Sequence, residues 1–257
     1  MNLLQTFSEA FISLNSNKGR SALTMLGIVI GVGAVIAMMA IGAGAQASIT
    51  SSLEGIGTNN LFVMAGGDAD NPQPLTLEDA AAIADRTQAP AVSRVAPVMN
   101  TQVEAAIPGE KTNTSLVGVT PDYFQVQTVE LAEGQPISQA QVDDYDSVVL
   151  LGSQVASDLF DKTSGLVGEK VRINGQVFHV IGVLKEEGGN PLSGTDNRVI
   201  APLSTTQLRL TRRSLSNEVD LIYIQAASSE QVTQAEDEVK QILRARHYKD
   251  IGVDDFD

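Results

Sequence analysis

From Ser21 to Leu53 the chain runs 33 residues without a charge, and between Ala22 and Ala45 the one polar side chain is Thr24. A hydrocarbon layer ~30 Å thick is crossed by about 20 apolar residues in helix. Helical throughout, the stretch would reach roughly 50 Å, so Gln46–Leu53 is expected to project beyond the lipid as a stalk. Ahead of it Leu3, Leu4, Phe7, Ala10, Phe11 and Leu14 recur at helical spacing. That pattern predicts an amphipathic helix on the inner membrane face, with Phe7 and Phe11 packing on lipid or on a cytoplasmic subunit. Asn15–Gly19 breaks it before the long run.

Beyond Glu54 the periodicities shorten. Leu61–Gly67 reads as a strand, followed by a polar, proline-containing loop. Thr76 and Asp79 have capping-box spacing, and Leu77, Ala80, Ala81 and Ala84 form the expected apolar stripe of a helix. Val92–Ile107 is a strand region, Pro108-Gly109-Glu110 a turn, and Thr112–Val119 a returning strand. Ser147–Gly152 reads as a short buried strand and Ser153–Phe160 as a helix. Asn174-Gly175 between alternating apolar residues predicts a hairpin. Glu186–Asn197 is a long exposed loop, and Arg198–Ser204 resumes a strand. Val219–Ala226 alternates as a strand. Ser228 and Gln231 then suggest a second capping box, ahead of a helix with Val232, Ala235, Val239, Ile242 and Leu243 on one face. Ile251 onward can begin another strand. Two β-α-β-like units at the ends of the body predict a single α/β layer, with residues 130–200 as an inserted small α/β subdomain.

Four readings compete for the uncharged stretch. A removable export signal would use Lys18 and Arg20 as its charged region and Ala43-Gly44-Ala45 or Ala45-Gln46-Ala47 as its cleavage site, but the run exceeds the usual ~7–15 residues. A buried core helix rarely needs such length. Gly42–Ala47 fits G-x-G-x-x-A with Asp68 further on, yet a long helix-like run precedes it where a short strand is required. The length favours a transmembrane anchor. Lys18 and Arg20 flank its N-terminal side, and the next basic residue is Arg86, so the N-terminus is expected in the cytoplasm and the body outside. Gly27 and Gly31 form G-x-x-x-G, and Gly33 and Ala37 continue small-residue spacing, as in helices that pack closely in lipid.

Charge sharpens the picture. The first 47 residues carry +1 against −14 for the whole chain, so the remainder carries −15. An acidic body with few aromatics does not suit nucleic acid. The absence of cysteine excludes disulfides, thiolate metal sites and a cysteine nucleophile. No catalytic constellation, metal site or cofactor motif emerges. His179 lies in a strand. His247 ends a helix, where a cation is favourable. Asp143, Asp144 and Asp146 form an acidic turn without EF-hand spacing, and Asp254, Asp255 and Asp257 read as a solvated linker to the membrane. Glu186, Glu187, Asn190 and Asp196 mark a loop suited to contacting a partner.

The chain resembles the MacB/FtsX-like ABC transporter permeases. The resemblance rests on NKGRSALTMLGIVIGVGAVIAMMAIGAGA, LEGIGTNNLFVMAGG, VGVTPDYFQV, LAEGQPIS, VVLLGSQVASDLF, VGEKVRINGQVFHVIGVL, VIAPLSTTQ and ILRARH, in that order along almost the whole chain. It implies a membrane-anchored α+β protein: a cytoplasmic amphipathic helix and loop (1–20), a transmembrane helix with stalk (21–53), a porter-like α/β subdomain (54–129 and 201–257) and the inserted subdomain (130–200). Family members continue into three further membrane helices, so the chain is expected to be part of a longer permease. No G-x-x-x-x-G-K-[ST] occurs, so the resemblance implies a separate cytoplasmic ATPase subunit as partner. It also implies a second permease copy and, in some relatives, a periplasmic adaptor. The alternative from the residues themselves is a single-pass sensor or scaffold with a binding ectodomain; a secreted enzyme released by cleavage would need a polar site that is not found.

Overall fold

The computed structural model describes residues 18–54, 59–66, 73–188, 196–211, 217–248 and 254–256, with residues 21 and 41–54 described by backbone only. The expected leader helix Leu3–Leu14 and the expected strand start at Ile251–Val253 lie outside the described residues, and Lys18 and Gly19, expected in the break before the long helix, are instead its first turn. The chain divides into two units, 1–53 and 54–257. Helix α1, Lys18–Glu54, is an unbroken helix of 37 residues that belongs to the first but for its last residue.

The second unit is a mixed α/β domain. It opens with β1 (Asn60–Met64), β2 (Leu75–Thr76), α2 (Leu77–Ala84), β3 (Val92–Ile107) and β4 (Glu110–Val119). Next come α3 (Tyr123–Val126), β5 (Leu131–Gly134), α4 (Gln139–Asp143), β6 (Val148–Leu151) and α5 (Ser153–Phe160). Then follow β7 (Lys170–Ile173), β8 (Gln176–Leu184), β9 (Arg198–Pro202) and α6 (Leu203–Thr205), which runs into a π turn at Thr206–Leu210. The domain ends with β10 (Glu218–Val219), β11 (Leu221–Ala226) and α7 (Val232–His247), the last entered through a 3₁₀ turn at Ser229–Gln231.

Two arrangements share the strand β3. Over Val92–Val98 it pairs antiparallel with β11, which pairs in turn with β1. Helices α2 and α7 cover one face of this three-stranded part, burying Ile83, Val92, Val95, Ile222, Ile224, Val239 and Leu243 together. Over Val98–Ile107 β3 pairs with β4, and at Ala105 and Ala106 it also meets β7. From β4 the pairing passes to β9, β6, β8 and β7, and so back to β3. These six strands close a ring, which leaves no free edge within it. Leu116, Val149, Phe178, Val183 and Val199 fill the ring together with Val155 and Leu159 of α5. A third cluster, including Tyr123, Phe124, Ile137, Leu150 and Ile200, fills the angle between the two arrangements.

Local signals act as their chemistry requires. The β7–β8 turn holds Asn174 at φ 48° and Gly175 at φ 82°, the pair of positive φ values a two-residue hairpin turn needs. The Thr76–Asp79 capping box is formed in both directions. The expected stripe of α2 is corrected: Ala80 and Ile83 face the core, whereas Ala81 and Ala84 are exposed, because the larger Ile83 sets the rotation of an alanine-rich helix. The expected box at Ser228 is also corrected. Ser228 makes no capping bond; its hydroxyl is engaged by Glu230 instead.

Phe178 is fully buried in the ring while the adjacent Val177 is exposed. Phe178→Ala is expected to cost about 3–5 kcal/mol, and Val177→Ala less than about 0.5 kcal/mol, read from denaturant midpoints of the two variants.

Candidate functional site

Helix α1 has no polar face. Leu23, Met25, Leu26, Ile28, Val29, Ile30, Val32, Val35, Ile36, Met38 and Met39 are all exposed, on every side of the helix. A helix apolar all round is satisfied by lipid, where its backbone bonds are already made internally. Residues Lys18–Ala40 are long and apolar enough to cross a membrane. Thr24, the polar exception, donates its hydroxyl to the Arg20 carbonyl at 2.6 Å and so adds no free polar group. Around Gly27, Gly31 and Gly33 nothing occupies the space a Cβ would take, and Ala37 is likewise exposed. Lys18 and Arg20 stand exposed at the first turn. That end of a helix dipole disfavours cations, so their placement is not explained by helix stability.

In the Glu186–Asp196 loop, Asp196 is a structural anchor. Its Oδ1 accepts the Ser153 hydroxyl at 2.9 Å and the Glu187 amide at 3.1 Å, and its carbonyl accepts the Gln154 amide at 2.9 Å. One carboxylate therefore ties both ends of the loop to the start of α5. Glu186 and Glu187 are exposed, and Asn190 lies outside the described residues. His179 sits on the exposed face of β8, opposite Lys170. Asp143, Asp144 and Asp146 are exposed around the end of α4.

The domain's most concentrated polar chemistry is buried. Asp79, His247 and Asp255 are 2%, 5% and 0% exposed. They come from the first turn of α2, the last turn of α7 and the segment Asp254–Phe256. Asp79 accepts the Thr76 amide at 2.9 Å, the Thr76 hydroxyl at 2.7 Å and the Arg246 guanidinium. Burial pushes the Asp79 carboxyl up, but the bonds from Arg246, Thr76 and His247 outweigh it and hold it below the ordinary aspartate value. The His247 ring lies 3.3 Å from Asp79 on its Nε2 side and 3.0 Å from Asp255 on its Nδ1 side. Asp255 also accepts the Gln73 amide at 3.1 Å, and its carbonyl accepts the Gly66 amide at 3.0 Å. Phe256 sets its ring edge-on to His247 and bridges to Ala65 beside β1. Arg244 grips Asp254 with two bonds of 2.6 and 2.7 Å, and this pair holds the Asp254 carboxyl low.

This overturns the reading of Asp254–Asp255 as a solvated linker: both side chains are docked against α7. His247 is not an exposed residue at a helix end: its ring lies buried between Asp79 and Asp255. The signal available in the sequence was Phe256, since a large aromatic in a polar tail has a reason to be buried. Among the described residues no group of three His, Cys, Asp or Glu is arranged to hold a metal.

One helix long and apolar enough to cross a membrane is thus followed by a mixed α/β body. The family description "MacB-like periplasmic core domain" matches residues 21–242, and the chain belongs to that family, which places it among the MacB-type ABC transporter permeases. A macrolide export ATP-binding/permease protein MacB from Nitrobacter winogradskyi is 36% identical over 96% of this chain. One from Bdellovibrio bacteriovorus is 30% identical over 95%, and the pyoverdine export ATP-binding/permease protein PvdT of Pseudomonas syringae is 31% identical over 90%. The chain spans between 35% and 38% of the length of these relatives. The periplasmic region of MacB from Actinobacillus actinomycetemcomitans shares the fold, with a TM-score of 0.67 at 21% identity, covering 80% of this chain and 90% of that one. The extracellular domain of the ABC-type transporter YknZ from Gram-positive bacteria aligns with a TM-score of 0.64 at 21% identity, over 76% of this chain and 98% of that one.

Asp79→Ala is expected to lower stability at pH 7 by about 3 kcal/mol, through loss of the helix cap and of the partner of buried groups. Because the Asp79 and Asp254 carboxyls are held low when folded, the stability they add is complete well above the unfolded value of about 3.9. It is lost as pH falls below that value. Thermal unfolding from pH 6 to 3 should show a shallower acid decline in Asp79→Ala than in the parent.

Proposed function

We propose that this chain supplies the first membrane helix and the extracytoplasmic core of a MacB-type permease. In this reading it works as one of a pair, driven by a cytoplasmic ABC ATPase on a separate subunit. The carrying observation is that one family match takes in both the all-apolar helix and the body that follows it. ATP binding and hydrolysis close and open the pair, and long helices carry the motion to the outer domains, which move a substrate or pull on a partner. No substrate need thread between the helices. Residues 54–129 and 201–257 act in this scheme as the porter-like subdomain, with 130–200 inserted into it. Gly27, Gly31, Gly33 and Ala37 give α1 a face for close helix packing.

The first test is purification of the full-length gene product from detergent. A stoichiometric ATPase whose turnover depends on this chain is expected, together with a permease dimer that Gly31→Leu weakens several-fold. A chain that works alone, without an ATPase or further membrane helices, would instead be a single-pass binding protein.

Orientation follows from Lys18 and Arg20 on the N-terminal flank. The chain contains no cysteine, so single replacements report topology directly. Ser229→Cys should react with a membrane-impermeant maleimide in intact spheroplasts, and Ser16→Cys only after permeabilisation.

A further inference from the structure

Charge is segregated along the part of the chain that builds the ring. No lysine or arginine occurs between Lys111 and Lys162, and no aspartate or glutamate between Lys170 and Lys185 or between Asn197 and Asn217. The fold brings the two kinds of segment edge to edge at Ser147. On one side α4 runs out into Asp143, Asp144, Tyr145 and Asp146, all exposed. On the other, Arg209 donates to the Ser147 hydroxyl at 2.7 Å, and the His179 amide donates to the Ser147 carbonyl at 2.9 Å. His179 lies opposite Lys170, and Val177 opposite Arg172, on the outer face of β7 and β8, whose inner face fills the ring with Val171 and Phe178. Gln176 donates to the Arg209 carbonyl at 2.9 Å, and the Thr205 hydroxyl to the Asp146 carbonyl at 2.8 Å. The acidic turn, the π turn and the hairpin thus adjoin. Glu104, on the neighbouring stretch of β3, is paired with Lys111 at 3.0 Å. Glu169 abuts Lys170, so the weight of the basic half falls on Arg172 and Arg209.

Three large apolar side chains stand exposed about the seam: Tyr145 at 46%, Leu208 at 53% and Val177 at 43%. Tyr145 is the costly one. At φ 55° it holds the left-handed position after α4, with its amide on the Val142 carbonyl and the Asp146 amide on the Gln141 carbonyl. Glycine is the usual residue there, and a bulky side chain is strained. An exposed ring recovers little of that strain by burial within one copy.

A partner of one sign would be drawn to one half of this surface and repelled by the other. A second copy, given a half turn, sets each half against its opposite. We propose that two copies of the chain meet here, about a twofold axis close to Ser147. The 143–146 turn of each seats against Arg209 and Arg172 of the other, and Tyr145 packs on Leu208 across the junction. This contact rests on the pairing proposed above and gives that pair a specific surface on the body.

The test uses the full-length gene product in membranes, as two differently tagged copies. The 257 residues contain no cysteine, and any cysteine elsewhere is replaced. With Tyr145→Cys in one copy and Leu208→Cys in the other, oxidation is expected to link them several-fold more than the control pair of Ser229→Cys with Leu208→Cys. Arg209→Asp in the Leu208→Cys copy should lower the link several-fold, and Asp146→Arg in the Tyr145→Cys copy should restore it. Read instead through Asp144→Cys with Leu208→Cys, Tyr145→Gly should weaken the link without lowering Tm, since glycine relieves the left-handed strain. Copies that co-purify but do not link at these positions overturn the surface and leave the pairing intact; copies that do not co-purify overturn both. A link that survives Arg209→Asp, or that survives 1 M salt, where charges are screened within ~3 Å, overturns the charge-matched contact. Loss that Asp146→Arg does not restore assigns the basic half to an acidic partner other than a second copy, and overturns the proposal. A lower Tm in Tyr145→Gly overturns the role given to Tyr145.

Discussion

A strand of 16 residues must find partners for its backbone groups over about 50 Å. In this domain that requirement falls on β3, and the other strands are arranged to meet it. β4 serves one edge over the outer part. The other edge is shared, by β11 near Val92–Val98 and by β7 near Ala105. Having two partners on that edge is what creates two arrangements: a helix-covered sheet around β11, and a closed ring through β7. The side chains follow the backbone, so Val95 packs under α2 and α7 while Val103 points into the ring. Tyr123, whose hydroxyl accepts a bond of 2.8 Å from Arg198, fills the angle where the two meet.

Much of this was legible wherever the cause is local. The charge-free run marked α1, Asn174-Gly175 marked its hairpin, and Ser153–Phe160 was delimited as a helix to the residue. Pro108-Gly109 ended β3 at Ile107, as turn chemistry requires. What was not legible depends on partners distant in sequence. Closure of the ring needs β7 to reach back to Ala105, and no periodicity within Lys170–Ile173 reports that. The face of α2 was misjudged because Ala81 and Ala84 were counted as core positions while Ile83, the larger apolar side chain, was passed over. Its rotation is decided by Ile83 meeting the core.

The buried cluster was hidden for the same reason, in stronger form, with Phe256 its one sequence signal. Asp79 and His247 stand 168 residues apart in the chain. Taken singly, an aspartate in a capping box, a histidine at a helix end and a pair of aspartates in a tail each have an ordinary explanation. Only the fold brings Arg246, His247 and the tail against the first turn of α2. The apolar helix α1 is the converse case, because length and composition are what mark it, and a linear sequence displays both in full.

The link between Ala65 and Phe256, with the Gly66–Asp255 bond beside it, has a mechanical meaning. It joins the residue just after β1 to the segment just after α7, so the strands, the ring and α7 between them form a loop closed at its neck. A pull on the chain ahead of β1 would meet the five-residue ladder of β1 with β11 before it meets that neck, so the neck is sheltered behind an edge strand of the sheet.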